Sequence, residues 1–77
     1  MDTTALDAAA QRYRRAEAEL EEARAELTGE VVALLDGNEE RGAQAAVARR
    51  TEWSREQIRQ IMRRHDEAKR AAAEQPK

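Results

Sequence analysis

The sequence predicts an all-α protein, and three observations carry that prediction. Ala, Glu, Arg, Leu and Gln dominate the 77 residues, and all are strong helix formers. Helix breakers are scarce, with three Gly and a single Pro, at position 76. No segment alternates β-branched or aromatic residues as a strand would. Composition and pattern divide the chain into an amphipathic helix over 1–28, a smaller helical unit over 29–73 and a frayed tail over 74–77. A chain this short buries only a modest core. With no cysteine, neither a disulfide nor a thiolate metal site can reinforce it.

The N-terminal element follows from a heptad beat. Leu6, Tyr13, Leu20 and Leu27 recur every seven residues, and Leu34 continues the series. Ala9, Ala16 and Ala23 fall three residues after the first three. Large and small residues thus alternate at spacings of three and four, which is a helix seam. Thr4 is the expected cap, with Asp7 three residues on as its acidic partner. From Thr4 to Leu27 the helix would be roughly 35 Å long. So long a stripe exceeds what the rest of the chain can cover. The expectation is a homodimer, with Leu6, Tyr13, Leu20 and Leu27 as its seam. No polar residue in the seam selects parallel or antiparallel pairing.

Thr28-Gly29 interrupts good helix formers, and Gly there costs on the order of 1 kcal/mol relative to Ala. A kink or short break is expected, followed by a segment Glu30 to Asp36 with Val31, Leu34 and Leu35 facing inward. Gly37 suits the left-handed position just past a helix end. A short helix is then expected from about Ala43 to Arg50, a tight turn at Thr51-Glu52-Trp53, and a longer helix reaching the region of Lys69 to Ala72. Ser54, with Gln57 three residues later, marks the start of that last helix as a capping box. Val47 and Ala48 on the first helix, Trp53 in the turn, and Ile58 and Ile61 on the second have the spacing of a helix-turn-helix. The predicted fold is therefore a long N-terminal helix followed by a trihelical helix-turn-helix unit.

Charge is unevenly placed. Residues 1–40 hold eleven acids and four bases, net −7, whereas 41–77 hold ten bases and five acids, net +5. A basic half of this kind is suited to a polyanion. The window RRTEWSREQIRQIMRR, 49–64, alone contains six arginines and two acids. On the outer face of its helix stand Arg55, Glu56, Arg59, Gln60 and Arg63, the expected base-reading set. Arg is matched to guanine O6 and N7, Glu to cytosine N4 and Gln to adenine. Gln44, Arg49, Arg50, Ser54 and Arg64 are placed to meet phosphate. The expected partner is double-stranded DNA, read in the major groove by the helix that starts at Ser54.

The stretch WSREQIRQI resembles the recognition helix of region four of primary sigma factors. There an apolar residue and Ser or Thr precede Arg-Glu-x-Ile/Val-Arg-Gln-Ile. The resemblance covers roughly residues 44 to 64. It implies a helix that reads a promoter element, with Arg55, Glu56 and Gln60 as base readers and Arg59 on the backbone. RGAQAAVARRTEWS is similar to the first helix and turn of small phage-type repressors. One departure is Glu52, at the turn position usually held by Gly; a left-handed conformation there costs roughly 1 kcal/mol. The remainder of a sigma factor is not contained in these residues, so polymerase binding in the sigma manner does not follow.

Other classes find little support. The longest apolar run, Val31 to Leu35, is far too short to span a membrane. MDTTALDAAA has acids where a signal peptide needs positive charge, which points to the cytoplasm. Twelve Arg to two Lys, with much Ala, suggest a GC-rich bacterial genome. His65 is the single histidine, so no metal site is expected. Ser54 reads as a cap rather than a nucleophile. No Gly-rich phosphate loop or carboxylate pair suggests an enzyme, and no cofactor is expected. Two alternatives to a sequence-specific regulator remain. One is a protein-interaction module, with a partner in the transcription machinery, built on the long acidic helix. The other is a non-specific nucleoid-type DNA binder.

Overall fold

The computed structural model describes residues 1–74. It is all-α: α1 spans Thr4–Leu35, α2 Ala43–Thr51 and α3 Arg55–Glu74. α3 thus includes Glu74, the first residue of the tail expected over 74–77, and the rest of that tail lies outside the described residues.

α1 differs from expectation at both ends of its first segment. Thr4 is already helical. Asp2 satisfies the helix start instead, accepting from the Thr4 hydroxyl at 2.6 Å and the Thr4 N–H at 3.0 Å. Those two bonds, the hydroxyl's first, hold the Asp2 carboxyl below the usual carboxylate range. Thr3, not Thr4, pairs with Asp7, its hydroxyl donating at 3.1 Å. The break expected at Thr28-Gly29 does not occur, and α1 continues through both residues. The roughly 1 kcal/mol cost of Gly is outweighed by what continuity secures. It keeps the backbone bonds of that turn and carries Val31 and Leu35 into the core, at 3% and 7% exposure.

The core is small. Val31 and Leu35 of α1 meet Val47 of α2 and Ile58 of α3, the last fully buried. Ala43, Ala48, Trp53 and Met62 close around them. Ala48 permits the close crossing of α2 and α3. Leu34, expected on the inward face, is exposed. Three residues past Val31 and one before Leu35, it falls on the side of the helix that continues the Leu27 seam.

Asn38 organises the turn between α1 and α2. Its amide donates to the Leu34 carbonyl at 3.1 Å and accepts from the Glu40 N–H at 2.8 Å. Gly37 takes the left-handed conformation expected of it (φ 72°), and Gly42, which precedes α2, is also left-handed (φ 85°).

α3 lies beside the C-terminal half of α1 and runs in the same direction. Its start, Trp53 and Gln57, shares a groove with Leu20, Ala23 and Leu27. Farther along, His65 and Lys69 reach Asp36 at the end of α1. The first half of α1 therefore projects beyond the packed unit. The radius of gyration is accordingly 18.4 Å, against roughly 11–12 Å for a compact chain of this length.

Candidate nucleic-acid interface

Three residues, Glu52 to Ser54, connect α2 to α3. Thr51 ends α2 with a hydroxyl that donates to the Val47 carbonyl at 2.8 Å and accepts from the Trp53 N–H at 3.2 Å. Glu52 adopts φ 62°, ψ 12°, and its N–H closes the helix end on Ala48. A non-Gly residue thus occupies the left-handed position, held there by Thr51 on one side and half-buried Trp53 on the other. Ser54 caps α3, its Oγ accepting from the Gln57 N–H at 3.1 Å. The Gln57 side chain turns towards the groove beside α1.

This turn sets the angle of α3 and leaves one face of it open. Arg55, Glu56, Arg59, Gln60 and Arg63 are all exposed. Opposite buried Ile58, at about 100° per residue, the crest of the helix carries Glu56, Gln60 and Arg63. Arg59 lies to one side, its guanidinium 2.8 Å from the Glu56 carboxylate. That pair is exposed at both ends and adds little stability, but it holds two side chains of the outer face in mutual register. Arg55 stands lower, on the flank nearer α2. Farther along, the outer face mixes Asp66 and Glu67 with Arg70, so net positive charge is concentrated in the first turns of α3.

Of the residues expected to meet phosphate, Gln44 shares a shallow groove with Arg59 and Arg63 on the α2 side. Arg64 and Ser54 line another with Glu56 and Gln60 on the α1 side. Arg49 and Arg50, in the last turn of α2, are exposed. The expected residues therefore surround one end of α3, although Gln44 and Arg64 lie on opposite flanks of it.

Two features escaped sequence reasoning. One is the double hydrogen bond of the Thr51 hydroxyl, which an ordinary helical Thr does not advertise. The other joins residues far apart in the chain. Asp36 lies 3.4 Å from His65 Nε2 and 3.5 Å from Lys69 Nζ. The close approach of His65, then the charge of Lys69, keeps the Asp36 carboxyl below the usual carboxylate range. Nε2 is shut off from solvent and has no well-aligned hydrogen-bond partner among the described residues. Asp66 stands within 4.8 Å of the other two acid and imidazole atoms. Lys69 holds Asp36, and its positive charge opposes a cation at this cluster.

Among the described residues, no helix is long and apolar enough to cross a membrane. The expected seam of α1 is bare: Leu6, Tyr13 and Leu20 are each about two-thirds exposed and Leu27 is 38% exposed. Comparison of the chain with protein-family models, curated proteins and solved structures finds no match.

Proposed function

We propose that the chain is a small sequence-specific DNA-binding protein, acting as a transcriptional regulator, in which α3 enters the major groove. The observation that carries this reading is the exposed arginine-rich face of α3, set at a fixed angle by the Thr51–Ser54 turn. Arg55, Glu56, Arg59, Gln60 and Arg63 read base edges; Gln44, Arg49, Arg50, Ser54 and Arg64 contact phosphate. The two roles separate energetically, because phosphate contacts release counterions whatever the sequence while base contacts discriminate. The unpartnered seam of α1 supports action as a homodimer, whose twofold symmetry calls for an inverted repeat.

Titration of labelled duplexes at several salt concentrations tests this. Arg63→Ala on the crest should cost roughly 1–3 kcal/mol on the preferred duplex and little on a scrambled one. Arg49→Ala should weaken both alike and reduce the salt slope by about 1. Equal losses for Arg63→Ala on both duplexes would remove it from the base-reading set. A steep salt dependence with no sequence preference would indicate a nucleoid-type coat.

A further inference from the structure

We infer that α1 pairs with α1 of a second copy in antiparallel fashion, centred between Arg14 and Arg15, and that this pairing sets the distance between the two α3 helices. The inference rests on the dimeric DNA-binding reading above and adds its geometry.

The seam itself is complementary to its own reverse. It reads Leu6, Ala9, Tyr13, Ala16, Leu20, Ala23, large and small in strict alternation. Laid antiparallel about that centre, Leu6 of one copy faces Ala23 of the other, Ala9 faces Leu20, and Tyr13 faces Ala16. The same three layers recur in reverse, so each of these layers holds one large and one small side chain, and Leu27 falls opposite Asp2. Helix separation is then uniform and no layer leaves a void. Flanking charges agree. Arg12 of each copy lies opposite Glu19 of the other, and no like charges meet. None of Arg12, Glu17, Glu19 and Arg24 has an ion-pair partner in the single chain among the described residues.

The register also places a side chain over an existing groove. Leu20, Ala23, Arg24, Leu27, Trp53 and Gln57 line a largely apolar depression where α3 begins. In the antiparallel pair Leu6 of the second copy comes to this depression, with Asp2 of that copy near Arg24. The projecting half of α1 and the bare groove thus cover each other.

Parallel pairing fails on two counts. It stacks Leu on Leu and Ala on Ala, which leaves gaps at the Ala layers. It gains cross-pairs of Arg12 with Glu17 and of Glu19 with Arg24, but exposed pairs of this kind contribute little. The second count is orientation. Along α1, the seam and the Val31–Leu35 face that packs on α3 lie roughly a quarter-turn apart. A parallel twofold would therefore turn the two α3 helices to opposite sides of the dimer. An antiparallel twofold puts both on one side.

Spacing follows. The first turns of α3 stand level with Leu20–Leu27 and Thr28 of α1, roughly six to thirteen residues from the centre of pairing. At 1.5 Å per residue the two α3 starts are roughly 16–40 Å apart, a span that includes one turn of the duplex. One turn of B-DNA is roughly 34–36 Å.

The chain has no cysteine, so introduced thiols report pairing without background. Sedimentation equilibrium first fixes a concentration at which the wild type is dimeric. At that concentration and without DNA, Leu6→Cys mixed with Ala23→Cys should form a mixed disulfide on mild oxidation. Leu6→Cys alone should not cross-link, since antiparallel pairing places its two copies far apart. All variants alter exposed positions, and circular dichroism checks that helicity is unchanged. Self-cross-linking of Leu6→Cys, or a wild type that stays monomeric at every concentration, would overturn the proposal. The cross-linked dimer should favour inverted repeats with half-site centres about 10 base pairs apart over those about 15 apart. A 6–23 cross-link in a dimer that binds no duplex would uphold the pairing and sink the regulator reading instead.

Discussion

The two halves of α1 share one helix and a similar density of apolar side chains, yet their fates differ. Val31 and Leu35 are 3% and 7% exposed, while Leu6 and Tyr13 are 68% and 66% exposed. Helical periodicity specifies an apolar stripe but not what covers it. α2 and α3 are short and lie at one end, so they cover only the last turns. The stripe of the first half then lacks a partner within the chain, and its function depends on what meets it.

Truncation on each side of that divide gives the largest contrast. Ile58→Ala, at the fully buried centre of the core, should destabilise the fold by about 3 kcal/mol. Leu6→Ala, measured at concentrations too low for self-association, should change monomer stability by no more than about 0.5 kcal/mol. Urea unfolding of both variants checks this. A similar loss at Leu6 would show that the projecting half packs on its own chain.

Gly29→Ala sharpens the comparison at the boundary between the halves. A Cβ there meets nothing within 4 Å, and the position is helical. The variant should be more stable by about 1 kcal/mol. Loss of stability would mean that the helix bends at this residue after all. At the turn, Glu52→Gly relieves a left-handed Glu and should gain somewhat less, about 0.5–1 kcal/mol, because Gly also adds freedom to the unfolded chain. Thermal melts distinguish the two gains from the unaltered chain.

The smallest effect concerns the contact that fastens the end of α1 to α3. The Asp36 carboxyl is lowered by His65 and Lys69. A lowered carboxylate contributes stability above its unfolded pKa and loses it as pH falls through the folded value. Asp36→Asn should therefore lower the melting temperature slightly near neutrality. The difference should persist while the carboxylate is ionised and shrink below about pH 4. A difference that persists unchanged in strong acid would assign Asp36 a role other than charge.

Much of this was legible in sequence, and for identifiable reasons. Ser54 as a cap, Gly37 at a left-handed position and the three-residue turn before α3 are local signals, decided by neighbours within a few positions. Gly29 misled because its propensity is local while the packing that overrides it is not. Leu34 misled because an apolar residue adjacent to Leu35 can face either the core or the seam, and the handedness of the bundle decides which. Asp36 and His65 stand twenty-nine positions apart, and only the fold brings them together. The exposed arginines of α3 were legible as a face because period 3.6 separates them from Ile58. Their flanking relation to α1 and α2 was not.

The central claim is that α3 reads DNA sequence, and selection from a random duplex library at near-physiological salt tests it most directly. Wild-type protein should enrich a short motif, present as an inverted repeat whose half-sites are about one helical turn apart. Folded protein that retains no duplex would contradict the claim and turn the search to protein partners of α1.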